Sequence, residues 1–123
     1  MQIFGHPWLE SESFYAVSSL EEIRQTPSNT TIELAPLSLS LELAQYCYVN
    51  NIPYAIKVES ISNAIFSNSL GAKFMLVTQE LARELMPIAQ NYLFDTHILA
   101  YVRNELDLEK MAKIGVDGII YST

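Results

Sequence analysis

The fold is indicated most clearly by residues 72–78, Ala-Lys-Phe-Met-Leu-Val-Thr. This short apolar segment follows a glycine and ends at a threonine able to cap a helix, which is typical of a strand between two helices. The same pattern occurs at residues 97–102 and 117–121, with a helical segment between each pair. Strands that are apolar along their whole length are typical of parallel sheets covered by helices. The last fifty residues therefore predict a parallel βα arrangement.

The same βα unit recurs toward the N-terminus, at residues 53–58, 31–35 and 14–17. Predicted strand starts at positions 31, 53, 73, 97 and 117 lie 20 to 24 residues apart. This regularity predicts a single α/β domain over residues 1–123, with a mainly parallel sheet of five or six strands and with residues 1–13 outside the repeat. A full eight-fold barrel needs roughly 250 residues, so the alternatives are an open doubly wound sheet or a partial barrel.

Helix boundaries are indicated by capping residues. Ser19 followed by Glu22, and Asn104 followed by Asp107, are patterns that begin a helix. Pro87 lies inside an otherwise clear helical face and removes one backbone donor. We expect a kink at Pro87 or a split into two shorter helices.

Composition and charge exclude several function classes. The 123 residues carry 7 Lys and Arg against 14 Asp and Glu, a net charge of −7, which would repel a phosphate backbone. The single cysteine, Cys47, forms no intramolecular disulfide. No apolar stretch approaches the roughly 18 residues of a membrane span, and the first ten residues do not resemble a signal peptide. We expect a cytoplasmic protein that binds neither nucleic acid nor membrane.

Motifs for cofactor chemistry are missing from the sequence. The four glycines, Gly5, Gly71, Gly115 and Gly118, lie outside the loops that follow the predicted strands, where a dinucleotide or phosphate loop needs them. His6 and His97 have no partners at metal-ligand or catalytic spacing, and Cys47 falls on an apolar helix face. We therefore predict no cofactor, no metal and no identifiable catalytic residue.

Four charged residues and one asparagine near the carboxyl ends of the strands are the candidate ligand site: Glu33, Lys57, Glu59, Arg103 and Asn104. Ligands of parallel α/β proteins bind at this edge. One interpretation is a reactive lysine flanked by carboxylates and an anion-binding arginine. The other, which we favour, is a structural ion pair between Glu33 and Lys57, since such pairs perturb charges as often as active sites do.

The aromatic N-terminal segment predicts a contact between copies of the chain. Trp8, the only tryptophan, lies outside the repeat with Phe4, His6 and Pro7 beside it. Large aromatic side chains dominate the energetics of interfaces. We expect a homo-oligomer whose contact includes these four residues; the alternative is that the segment folds back on its own core.

The stretch Gly115-Val116-Asp117-Gly118-Ile119-Ile120 resembles the late βα unit of TIM-barrel enzymes, in particular that of the glycerophosphodiester phosphodiesterases. The resemblance implies a glycine-terminated helix that leads into a strand. That family also carries a His-Arg-Gly triplet and metal-binding carboxylates, whereas His6 is followed here by Pro7 and no matching acidic pair follows. The chain as a whole resembles small bacterial α/β proteins similar to part of a TIM barrel, which implies no particular activity.

Two functions follow from these patterns. The first is a non-catalytic α/β domain that acts through protein–protein interaction or self-association. The alternative is a small-molecule enzyme, or a binder of an anionic metabolite, that uses the Lys57 edge of the sheet. A concave pocket with convergent polar groups at that edge would distinguish the second from the first.

Overall fold

The computed structural model describes residues 1–122. In chain order its elements are β1 (Gln2–Phe4), β2 (Ser13–Ala16), α1 (Leu20–Arg24), β3 (Thr30–Leu34), α2 (Leu37–Val49), β4 (Tyr54–Lys57), α3 (Ile61–Ser69), β5 (Phe74–Val77), α4 (Gln79–Asn91), β6 (His97–Val102), α5 (Glu105–Ile114) and β7 (Gly118–Tyr121).

All seven strands form one parallel sheet in the order β1-β7-β6-β5-β4-β3-β2. The prediction of an α/β protein with a parallel sheet of βα repeats is confirmed, but the count of five or six strands was wrong. The extra strand is β1, in which Phe4 pairs with Ile120 of β7. A three-residue strand is too short to show a period of two, so β1 was not counted among the predicted strands.

The sheet curls into a half-barrel. Each step from β2 to β7 moves one strand along the sheet, and right-handed crossovers then place every helix on the same face. On the other face, Phe4 of β1 and Phe14 of β2 come from opposite edges of the sheet, yet their ring centroids are only 5.3 Å apart. Of the two predicted alternatives, the partial barrel is therefore the observed one.

The curled sheet separates two apolar cores, because successive side chains of a strand point to opposite faces. On β5, Met75 and Val77 pack against the helices on the convex side. Phe74 and Leu76 point into the concave side, where they pack with Phe4, Ala55 and Leu99, and with Phe14, Tyr101 and Ile120 at the margin. The interior of the half-barrel is filled by side chains.

Helix boundaries follow the predicted caps. The Ser19 hydroxyl accepts a hydrogen bond from the N–H of Glu22 (3.2 Å), and the Asn104 side chain accepts one from the N–H of Asp107 (2.9 Å). The predicted split at Pro87 does not occur, since α4 continues through it. Pro87 and the residue four positions earlier, Arg83, are both exposed, so water can reach the carbonyl that loses its partner.

Ser67, in α3, offers a test of packing on the convex side. It is fully buried, and its hydroxyl has no hydrogen-bond partner among the described residues. We expect Ser67→Ala to stabilise the protein by about 1 kcal/mol, because a buried unsatisfied hydroxyl is costly. Urea unfolding checks this, with Ser62→Ala, at an exposed position of the same helix, as the control for helix propensity. Equal effects of the two substitutions would contradict the expectation.

Candidate functional site

Glu33 and Lys57 meet on the concave face near the carboxyl ends of the strands. Glu33 of β3 pairs with Ala55 of β4, and the period of two places Lys57 on the same face as Ala55. The Lys57 Nζ lies 3.9 Å from the Glu33 Oε2, and the lysine side chain is 51% exposed. An ion pair of this exposure contributes about 0–1 kcal/mol to stability.

Tyr101 of β6 joins this cluster, although the sequence interpretation did not select it. Burial raises the pKa of the Tyr101 hydroxyl to about 12, and the negative charge of Glu33 contributes further. The signal available in the sequence is its spacing of two from Leu99, which places both side chains on the concave face. The concave rim thus combines a neutral phenol, a carboxylate and an ammonium group.

Lys57 and Tyr101 are poorly suited to nucleophilic or acid–base catalysis near neutral pH. A nucleophilic lysine is usually activated by a desolvated pocket or a second cation, whereas Lys57 is half exposed and faces a carboxylate. A phenol whose pKa is raised to about 12 holds its proton too tightly to be a general acid or base near neutral pH. The geometry is that of a structural ion pair at the rim of a filled half-barrel.

The raised pKa of Tyr101 predicts the alkaline stability of the fold. A free tyrosine titrates near pH 10, so between about pH 10 and 12 the unfolded chain releases this proton before the folded chain does. The unfolded state then binds fewer protons, and stability falls as pH rises through this window. We expect Tyr101→Phe to lessen the loss in urea unfolding measured at pH 9 and pH 11.

Tyr54 bears on the same measurement, because burial also raises the pKa of its hydroxyl. Part of the alkaline loss therefore remains in the Tyr101→Phe variant. Tyr15 is exposed on β2, so Tyr15→Phe is the matched control and should leave the alkaline loss unchanged. If Tyr101→Phe and the parent lose the same stability at high pH, the raised pKa of the Tyr101 hydroxyl is not a cause of that loss.

Arg103 and Asn104 lie at the start of α5. The Asn104 side chain is occupied in capping α5. Asp107 accepts a hydrogen bond from the N–H of Arg103 (3.1 Å), and its carboxylate lies 3.6 Å from the Arg103 Nε. The backbone hydrogen bond from Arg103 is the main cause that lowers the pKa of Asp107.

A cavity of about 250 Å³ opens beside Arg103. Its lining consists of Thr78, Gln79, Glu80, Tyr101, Arg103 and Ser122. Glu33, Lys57, Glu59 and Asn104 are not among these residues, and Glu59 is exposed. Of the five predicted site residues, Glu33 and Lys57 form an ion pair, and Arg103 and Asn104 are neighbours at the start of α5. Glu59 forms no ion pair within residues 1–122.

The predicted interface residues divide between core and surface. Phe4 is 4% exposed and packs edge-on against Phe74, with ring centroids 5.3 Å apart, so it belongs to its own chain's core. Its apolar side chain completes the concave face, which explains why it is not free to meet a partner. Trp8 is 83% exposed, Pro7 is exposed and His6 is half-buried.

An apolar groove between α2 and α3 was not predicted from the sequence. It measures about 520 Å³ and is defined by four apolar and four uncharged polar residues, here called the α2/α3 groove: Leu37, Leu41, Phe66, Leu70, Ser38, Gln45, Asn63 and Ser69. None of the eight carries a charge, and Phe66 is 62% exposed. A groove of this kind is suited to covering by another apolar surface.

Cys47 lies in the core and is a poor nucleophile. Its thiol is buried among convex core residues, and burial raises its pKa to about 11, which disfavours the nucleophilic thiolate.

Within residues 1–122, no three His, Cys, Asp or Glu side chains are grouped so that they could hold a metal ion. No helix in that part of the chain has the length and apolar character needed to cross a membrane.

Comparison with known proteins found no protein-family model that matches the chain and no curated protein whose sequence matches it. The similarity of residues 115–120 to glycerophosphodiester phosphodiesterases therefore stays local. It corresponds to the left-handed Gly115 (φ 80°) that ends α5, followed by β7.

Proposed function

We propose that this protein is a non-catalytic interaction domain that associates with a second copy of itself through the α2/α3 groove. The observation that carries the proposal is an exposed, wholly uncharged groove on a protein whose net charge is −7. Most large apolar patches on soluble proteins serve as binding surfaces.

The composition of α2 supports this surface. Among its 13 residues, Leu37–Val49, only Glu42 is charged. Ala44 and Cys47 face the core, yet Leu39 and Val49 are exposed as well. A helix that is apolar on all sides is typical of one buried on all sides. The outer side of α2 therefore fits a position inside an assembly.

Charge favours the α2/α3 groove as the surface on which two copies meet. Two chains of net charge −7 repel each other where their acidic surfaces meet, and this repulsion is least where neither presents a charge. A two-fold contact brings the same patch of both copies together. Phe66 of one copy would then enter the groove of the other, since aromatic side chains in pockets supply most of the binding energy.

The turn that holds His6, Pro7 and Trp8 is a second surface on which such a contact can form. It presents the most exposed aromatic side chain of the described residues, Trp8. We give it the lesser part in the proposal, because a continuous groove buries more apolar area than one projecting ring.

Sedimentation velocity over a concentration series tests the proposal. We expect the mass to rise from that of one chain toward that of two as the concentration increases from low to high micromolar. A mass that stays at one chain throughout the series would overturn self-association.

The second candidate is a binder of an anionic metabolite at the carboxyl edge of the sheet. It is favoured by the exposed Arg103 guanidinium, which lines a cavity at the start of α5, where backbone N–H groups also attract anions. Thermal shift with phosphorylated and carboxylate metabolites tests it. A ligand at a hundred times its dissociation constant adds about 2.7 kcal/mol of stability. Hits that bind Arg103→Ala and Lys57→Ala as tightly as the parent would place the site elsewhere.

A further inference from the structure

Trp8 is held on an ordered turn although it is exposed. The turn begins at Gly5 in the left-handed region (φ 80°), whose N–H donates to the Ser11 hydroxyl (3.1 Å). The N–H of Trp8 donates to the His6 Nδ1 (3.1 Å), and the N–H of Leu9 donates to the His6 carbonyl (3.1 Å). These bonds hold the backbone of the turn at Trp8 in one conformation.

Three aromatic rings meet at this turn. The His6 and Trp8 centroids are 5.1 Å apart with planes inclined by 75°, and the His6 and Tyr121 centroids are 4.9 Å apart with planes inclined by 65°. Both pairs are edge-to-face contacts. The three rings line a cavity of about 210 Å³ between the turn and α5, with Ile3, Leu9 and Leu108 as its apolar lining.

Two carboxylates complete the lining, Glu105 and Glu109. They lie four residues apart on α5, so they project from the same side of the helix and repel each other. No lysine or arginine lines this cavity. Aromatic faces together with uncompensated negative charge are the combination that attracts organic cations.

We propose that this cavity, here called the Trp8 cavity, binds a small organic cation with a quaternary ammonium group. The Trp8 and Tyr121 rings supply cation–π contacts, and Glu105 and Glu109 supply the opposing charge. At about 210 Å³ the cavity is smaller than the roughly 300–1,000 Å³ of drug-sized sites, so the ammonium head group itself is the part bound. This cavity shares no residue with the α2/α3 groove, so a negative result for one proposal leaves the other untested by that result.

Because Trp8 is the only tryptophan, its fluorescence reports occupancy of the cavity directly. The probes are choline and its uncharged carbon analogue 3,3-dimethyl-1-butanol, at constant ionic strength. We expect a saturable change in Trp8 emission with choline, and binding of the alcohol about fivefold weaker or more. Equal affinity for the two, or the lack of a saturable change with choline, would overturn the proposal.

Substitutions of the carboxylates test their part separately. Glu105 and Glu109 are both exposed, so the double change to glutamine should leave the fold intact, which circular dichroism checks. We expect the dissociation constant for choline to rise about tenfold, whereas Glu84→Gln, at an exposed position of α4 outside the cavity, should not change it. An unchanged constant in the double variant would show that the carboxylates take no part and would contradict the proposed site.

Discussion

Replacement of Phe66 by glutamate is expected to abolish self-association while the fold stays intact. Phe66 is 62% exposed and lines the α2/α3 groove, so the change removes little packing within the chain. It places a charge where a partner's apolar surface would desolvate it. An interface hot spot contributes at least about 2 kcal/mol, so the dissociation constant should rise by about thirtyfold or more. Sedimentation equilibrium measures that constant.

A matched control separates loss of the groove contact from added repulsion. Tyr92→Glu makes the same change of net charge at another exposed aromatic side chain, outside the groove. We expect its dissociation constant to stay close to that of the parent. Equal weakening by both variants would show that overall charge governs association, and no weakening by Phe66→Glu would place the contact elsewhere.

Phe74→Ala is expected to destabilise the fold by about 3–5 kcal/mol, the usual cost of truncating a buried phenylalanine. Phe74 is fully buried on the central strand β5. Its ring lies 5.3 Å from that of Phe4 on β1 and 5.8 Å from that of Phe14 on β2. One ring therefore joins both edges of the curled sheet, and its loss opens a cavity between them.

Urea unfolding at neutral pH checks this value. Tyr92→Ala is the control, because truncation of an exposed aromatic side chain outside the α2/α3 groove should change the free energy of unfolding by no more than about 0.5 kcal/mol. Phe74→Leu keeps part of the volume and should fall between the two. If Phe74→Ala and Tyr92→Ala unfold at the same urea concentration, the three-ring contact does not hold the half-barrel closed.

The parallel arrangement was predictable because each unit repeats the same local signals. Fully apolar strands such as residues 74–77, a capping residue such as Asn104 and a terminal glycine such as Gly115 act within a few residues of one another. The curl of the sheet depends on contacts between its ends. Phe4 and Phe14 meet through the closure of seven strands, and neither their spacing nor their type indicates this contact.

Only the part of the candidate site that depends on neighbouring strands was predictable from the sequence. The meeting of Glu33 and Lys57 follows from pairing of neighbouring strands and a period of two. The position of Arg103 relative to Lys57 does not follow in this way, because it depends on where β4 and β6 lie around the curl. The α2/α3 groove was missed because Leu41 and Phe66 look like ordinary core residues, and only the folded chain leaves them exposed.

Hydrogen–deuterium exchange at low and high protein concentration locates the surface on which two copies meet. We expect amides in α2 and α3 to become more protected at high concentration and those of α5 to stay unchanged. Protection that rises at residues 6–9 instead would move the contact to the Trp8 turn. Exchange that is independent of concentration across the whole chain would contradict self-association altogether.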